Sequence, residues 1–350
     1  MEDAPLSSKV QMTDIQIQLE AILRGAAFAP LTDRAFLSVT GPDATRWLNG
    51  MVSNNIKDLA EGEQNYNFLL NAQGRILGDC TIYRRPTYAE PEFLLETDLG
   101  QIEAVHQTLD RFIIMDDVEL SRVLTDKFGV LLLGPEIQMV FMQLLTDGDR
   151  PSDGSDAASA VEPSIILSRP DSTIPTLELW FDTQSEMERA LHRLPTLDAT
   201  AVSAEALESW RILAATPRYG TDIRNTEAAK DLPQETALDG TQSRALNFNK
   251  GCYLGQEIVE RIHSRGQVHR TFAQFQLTGP LPQLPAPLQA NGKVVGELTS
   301  AAIIPLPAGD ITLALGYARR EALERREPFT YPGGTATKTE PSQHITETKN

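Results

Sequence analysis

Residues 250–266 read KGCYLGQEIVERIHSRG, which sets one of only two cysteines between two glycines, beside a lysine and next to a tyrosine, in a 350-residue chain of net charge −17. After Gly255 the apolar residues Ile258, Val259 and Ile262 share one helical face, while Glu257 and Arg261 stand four apart on another. The spacing predicts a helix starting near Gly255. Cys252 then lies just before its N-terminus, where unpaired N–H groups and the macrodipole favour an anion, and Lys250 adds a positive charge. The flanking glycines permit close approaches, and Tyr253 offers a flat ring with a phenolic edge. Two readings stay open at this point: a presented, readily ionised thiol, or a tight turn with a small buried cysteine as filler. Cys80, inside the apolar run ILGDCTIY, reads as core filler.

Working outward, Lys250, Arg261, Arg265 and Arg270 outnumber Glu257 and Glu260, a positive island on an acidic chain. It suits either a small anionic ligand or an ordinary solvated helix face. The overall charge repels a phosphate backbone, so nucleic acid is not an expected partner. No stretch approaches the roughly 18 apolar residues of a membrane span. The opening MEDAPLSSKVQMTDIQIQLE carries acids early and lacks a basic region followed by an apolar one, so a cytoplasmic location is expected. The two cysteines are far apart, which favours reduced thiols over a disulfide framework. GxGxxG, Walker A, HExxH and GxSxG patterns are absent from the sequence. His263 and His269 without a CxxC pair read as surface histidines flanking a turn, so no metal site is expected.

Length predicts two or three domains. Residues 1–25 read as a weakly ordered lead-in, residues 26–270 as two α+β lobes with a flexible loop at 146–164, residues 271–330 as a small β-barrel, and residues 331–350 as a disordered tail. In the first lobe, AFLSVTG, NFLLNAQ, ILGDCTIYR, EFLLETD and GVLLLG read as strands, with DATRWLNGMVSNNI and LGQIEAVHQTLDRFI as helices. IILSR, LELWF and the helical TQSEMERALHRL form the second lobe, and TFAQFQL, KVVGELTSAA and ITLALGYA form the barrel. Trp47, Trp180 and Trp210 suit core and channel wall equally.

KGCYLGQEIVERIHSRG resembles the signature of the YgfZ-type folate-binding proteins, relatives of the aminomethyltransferase (T protein) of the glycine cleavage system. GPDATRWLNGMVSNNI, NFLLNAQGRILGDCTIYRR, WRILAATPRYGTDI, LPQET, GELTSAAIIP and LALGYARRE resemble further segments of that family in the same order, so the likeness spans roughly residues 30–320. The resemblance implies a three-lobed cloverleaf around a channel for tetrahydrofolate. It also implies a part in assembling or repairing iron-sulfur clusters, with client or assembly proteins as partners.

The departures bear on the chemistry. Where aminomethyltransferases carry GGxxDD, Gly78 stands beside the single Asp79, and the glutamate that helps hold their pterin ring falls at Leu213 here. Aminomethyl transfer of the usual kind is therefore not expected. Asp79 and Cys252 are the candidate reactive groups. For a folate with a hydrogen-bonding pterin at one end and carboxylates at the other, Asp79, Arg75, Arg211, Asp222, Lys250, Tyr253, Gln256 and Glu257 are the candidate binding residues. Solvated or salt-bridged structural roles remain open for Asp79, Arg75 and Arg211. Three functions follow: a folate-dependent accessory factor in cluster assembly using Cys252, a one-carbon transferase using Asp79, or a non-catalytic docking protein.

Overall fold

The computed structural model describes residues 7–341 apart from 88–89, 123, 125–126, 147–160, 170–172, 227–229, 237–243, 267, 308 and 326–327, with side chains from residue 14. Strands β1 (Ala26–Leu31) and β2 (Arg34–Thr40) follow helix α1 (Ser7–Arg24) and enter different sheets. The first sheet adds β3 (Gln64–Leu70), β4 (Ile76–Arg84), β5 (Phe93–Asp98) and β6 (Glu119–Leu120) in the antiparallel order β3-β4-β5-β2-β6. Alternation decides its two faces. Cys80 and Ile82 of β4 pack into a core with Trp47 and Leu48 of α2 (Ala44–Met51) and Ile102, Val105 and Leu109 of α3 (Ile102–Asp110). Asp79, Thr81 and Tyr83 therefore point the other way, toward the second sheet.

That second sheet joins β1 to β7 (Phe128–Leu133), β8 (Ile165–Ser168), β9 (Thr176–Phe181) and β10 (Ala199–Ala201) in the order β10-β1-β7-β9-β8, with β1 and β10 parallel. Helices α4 (Ile137–Leu145) and α5 (Gln184–Arg193) cover its outer face, and Thr183 with Glu186 closes a reciprocal cap at the start of α5. The inner faces of the two sheets meet through Phe36, Leu94, Ile165, Leu167 and Trp180, with the Phe36 and Trp180 rings edge to face at 4.8 Å. The whole first sheet is thus inserted between the first two strands of the second.

The C-terminal barrel closes in the order β11-β14-β13-β12-β15-β16, formed by β11 (Arg270–Thr278), β12 (Ala286–Ala290), β13 (Lys293–Leu306), β14 (Gly309–Arg319), β15 (Phe329–Tyr331) and β16 (Gly334–Thr339). Closure leaves no edge strand. Helix α6 (Ala204–Leu213) lies between the barrel and the second sheet, and Leu19, Ile22 and Leu23 of α1 enter the same core with Phe272, Leu313 and Leu315.

Four expectations are corrected. Residues 7–24 form a helix rather than a weak lead-in, because Leu19, Ile22 and Leu23 recur at helical spacing and are all buried. GVLLLG belongs to the second sheet, since β7 pairs with β1 and β9. The proline-rich stretch contains β12. The barrel runs on to Thr339 instead of ending at residue 330; β16 was illegible because only Ala336 and Thr339 of GTATKT are buried, which is not a strand's apolar alternation. Of the expected loop and tail, residues 147–160 and 342–350 lie outside the described residues. Ile22→Ala should lower unfolding stability by about 2–5 kcal/mol in urea titration, because it empties a filled site between α1 and the barrel core; a change within about 0.5 kcal/mol would mean that α1 packs loosely.

Candidate functional site

The cysteine turn is built from three distant segments. Helix α7 (Gln256–Arg265) starts from Gly255, which has φ 85°. A Cβ at Gly255 would stand 2.6 Å from the Asn71 carbonyl oxygen and 3.1 Å from the Gly74 Cα, so the turn between β3 and β4 rests directly on the start of α7. Gly74 answers it, as a Cβ there would meet the Ile258 Cβ at 2.9 Å. On the other side, Leu254 N–H donates to the Gly50 carbonyl at 3.0 Å.

Lys250 is the brace. Its buried ammonium donates to the carbonyls of Asn49 (2.7 Å), Val52 (2.7 Å) and Asn54 (2.5 Å), at and just beyond the C-terminal end of α2, and lies 4.9 Å from the Tyr253 ring centroid. Burial pulls its pKa down to about 7. Lys250 therefore serves architecture instead of offering its charge to a ligand. Tyr253 is buried, which pushes its phenol upward, while Cys252 is exposed and Cys80 is buried with its thiol pushed well up by desolvation. The filler reading holds for Cys80. It does not hold for Cys252.

Asp79 faces the space between the two sheets. Tyr66 Oη donates to one carboxylate oxygen at 2.5 Å and Gln101 Nε2 to the other at 2.6 Å. Burial, with Asp79 alongside, pushes the Tyr66 phenol well up, and the Arg244 guanidinium lies 4.5 Å over its ring. Tyr219 and Asn225 both donate to the Leu77 carbonyl at 2.6 Å on the same strand. Farther along, Arg34 binds Glu96, and Arg169 bridges Glu178 (2.5 Å) and Glu96 (3.3 Å), joining the sheets through charge. Against the cost of burial, Arg34 and then Arg169 hold the Glu96 carboxyl low. Burial, with Glu96 nearby, pushes Glu178 up in spite of Arg169.

Among the described residues eleven buried side-chain polar atoms lack a hydrogen-bond partner, and one of them, Arg244 Nε, lies beside the Tyr66 ring whose hydroxyl donates to Asp79. Unsatisfied buried polar atoms are rare in folded proteins. The unpaired Arg244 donor and the Asp79 carboxylate together offer the donor and acceptor that the edge of a flat heterocycle such as a pterin needs, so the residues present fit one. Leu213 itself is fully buried against the barrel core.

The remaining predicted residues do other work. Arg211 uses its whole fork internally, on Glu208, Asp222, the Thr216 carbonyl and Ser300. Asp222, fully buried, accepts from Arg211, the Arg218 N–H, Thr299 and Ser300, so this pair joins α6 to β13 of the barrel. Arg75 donates to the Lys230 carbonyl at 2.9 Å. Gln256 opens α7, and Glu257 forms an exposed pair with Arg261. Tyr66, Gln101, Arg244, Arg169 and Glu178 were missed. Glu178 and Glu96 did leave a signal, since each follows apolar residues inside a strand run, Glu178 as the lone acid of TLELWF and Glu96 directly after FLL in FLLETD.

The backbone as a whole superposes on the glycine cleavage system aminomethyltransferase T of Bartonella henselae with a TM-score of 0.73 at 18% identity, covering 93% of this chain and 88% of that one. The fold is that of an aminomethyltransferase T. Residues 11–158, which take in the first sheet, match the model of the GCVT N-terminal domain family. Over longer stretches the chain is similar to proteins named mitochondrial iron-sulfur cluster assembly factor IBA57 homologs. That of Neurospora crassa is 28% identical over 267 residues, covering 75% of this chain and 56% of the relative. That of Chaetomium globosum is 30% identical over 270 residues, covering 70% and 55%. That of Neosartorya fischeri is 26% identical over 317 residues, covering 85% and 66%. The chain thus spans between half and two thirds of the length of these relatives. All three are named mitochondrial, which corrects the expectation of a cytoplasmic chain. No helix among the described residues is long and apolar enough to cross a membrane.

Two expected outcomes test the turn. Gly255→Ala should destabilise by at least about 1–2 kcal/mol from its left-handed backbone alone, and unchanged thermal unfolding would refute the close contact. For Lys250, the folded pKa of about 7 lies below the ordinary 10.5. Between those values the unfolded chain binds the proton that the folded chain sheds, so stability rises with pH across that window. Lys250→Met should flatten this rise in denaturant titrations, and an unaltered slope would count against the buried ammonium.

Proposed function

We propose that the chain binds a tetrahydrofolate-type cofactor between its two sheets and acts in the assembly or repair of iron-sulfur clusters in other proteins, with Cys252 as its working thiol. The observation that carries this reading is the contrast at the turn: Lys250 and Tyr253 are buried and braced while the Cys252 side chain between them faces solvent. A thiol held out on a fixed backbone can ligate metal or exchange sulfur with a partner at little reorganisation. The relatives' names as iron-sulfur cluster assembly factors support the same direction. The unpaired Arg244 Nε beside Tyr66 and Asp79 supports the folate, whose pterin would meet that donor and the Asp79 carboxylate.

One-carbon transfer has less support. Both oxygens of Asp79 already accept from Tyr66 and Gln101, an arrangement that suits orientation of a ligand better than proton abstraction.

Separation of the two sites gives the test. Cys252→Ser should fail to restore iron-sulfur enzyme activity in cells lacking the gene, yet bind tetrahydrofolate with unchanged affinity in calorimetry. Asp79→Asn leaves one of two buried donors without its acceptor, about 1–3 kcal/mol, and should weaken tetrahydrofolate binding by roughly tenfold or more. Full restoration by Cys252→Ser would sink the role of the thiol, and absence of any folate binding by the wild type would sink the cofactor.

A further inference from the structure

Resting on that functional reading, we infer that the partner which meets Cys252 docks on one continuous surface formed by the cysteine turn, the outer face of α2 and the loop after α3. That loop, DRFIIMDDVE over residues 110–119, exposes Ile114 at 80% and Met115 at 92%, with Phe112 at 37%. Both of its anchors and the cysteine turn are fastened to α2. Trp47 Nε1 donates to the Phe112 carbonyl at 3.2 Å, and Arg46 donates to Asp116 at 2.6 Å. Gly50 accepts from Leu254, two residues beyond the thiol. Arg46 and Gly50 are four apart, so the two attachments lie on one helix face about 6 Å apart along the axis. The surface between them is bare: a Cβ at Gly50 or at Gly251 would meet nothing within 4 Å.

The occupant is a protein whose contact face carries an apolar recess rimmed by lysine or arginine. Asp43, Asp110, Asp116, Asp117 and Glu119 flank the apolar tip against Arg111 and Arg46, the latter shared between Asp43 and Asp116, on a chain of net charge −17. Such a rim repels anionic lipid and a second copy of this chain alike, and it steers a basic partner. A partner seated on Ile114 and Met115 and crossing Gly50 arrives at Cys252, so recognition and chemistry share one footprint. Exposed apolar side chains at a loop tip are the anchors such a contact needs.

The test uses the full-length protein in cells lacking the gene, read by restored iron-sulfur enzyme activity. The variants are Ile114→Asp combined with Met115→Asp, Asp110→Lys combined with Glu119→Lys, and Gly50→Gln, which fills the bare helix face. Each should cut restored activity by about tenfold or more, as loss of a contact hot spot does. Thermal unfolding, tetrahydrofolate affinity and the rate at which iodoacetamide alkylates Cys252 in the purified proteins should stay as in the wild type. Wild-type restoration by all three, while Cys252→Ser fails, overturns the surface and leaves the functional reading standing. Restoration by Cys252→Ser overturns the functional reading and the surface with it. Sedimentation with phosphatidylcholine–phosphatidylserine vesicles, or a dimer in light scattering, that the tip variant abolishes would overturn the inference in favour of a membrane or a second copy.

Discussion

A single buried ammonium holds the site together. The last carbonyls of a helix have no partners within it and carry the negative end of its dipole. At the end of α2, two of these needs and a third carbonyl just beyond are met by Lys250, about two hundred residues downstream. Lysine suits this geometry because its compact head turns three donors toward three converging oxygens, whereas the planar fork of arginine matches paired acceptors in one plane. The consequence is positional. Once Lys250 is fixed, Cys252 two residues on has little choice of location, and Leu254 closes the turn on Gly50.

The same reasoning explains why the positive island counted along the sequence does not survive folding. Lys250 is turned inward onto carbonyls, Arg261 pairs with Glu257, and Arg270 is occupied by Asp231 and Glu235, which leaves only Arg265, exposed in the last turn of α7, of the four bases counted. Charge counted over a window ignores partners from elsewhere in the chain, and here Asp231 and Glu235 come from a segment that the window omits. The turn therefore presents a thiol on a rigid support, not a cationic pocket.

What was legible in the sequence follows from the range of the interactions involved. The helix after Gly255, the α+β lobes, the three long barrel strands and the buried character of Cys80 all rest on local apolar periodicity. The membership of β7 in the second sheet depends on pairing with β1, about a hundred residues earlier, and no local pattern encodes it. The same applies to Arg211 and Asp222. Each reads as a ligand-binding charge in isolation, and only their meeting with Ser300 of the barrel shows that they form a joint. Glu178 and Glu96 lie between these cases, since an acid that follows apolar strand residues is visible but its Arg169 bridge is not.

Asp79 and the thiol are mechanically adjacent. Asp79 sits on β4, whose preceding turn carries Asn71 and Gly74, and that turn presses on Gly255 and Ile258 at the start of α7. No side chain intervenes at the glycine contact to absorb a displacement, and close-packed interiors transmit strain instead of dissipating it. A ligand that shifted β4 through Asp79 would have to move the turn, and with it the backbone that carries Cys252. Lys250 opposes such movement from the far side, because its three carbonyls belong to α2 and the segment that follows it. The turn is thus clamped between the β3–β4 turn on one side and α2, whose free face runs to an exposed apolar tip, on the other, so a displacement of either element reaches the backbone that carries Cys252.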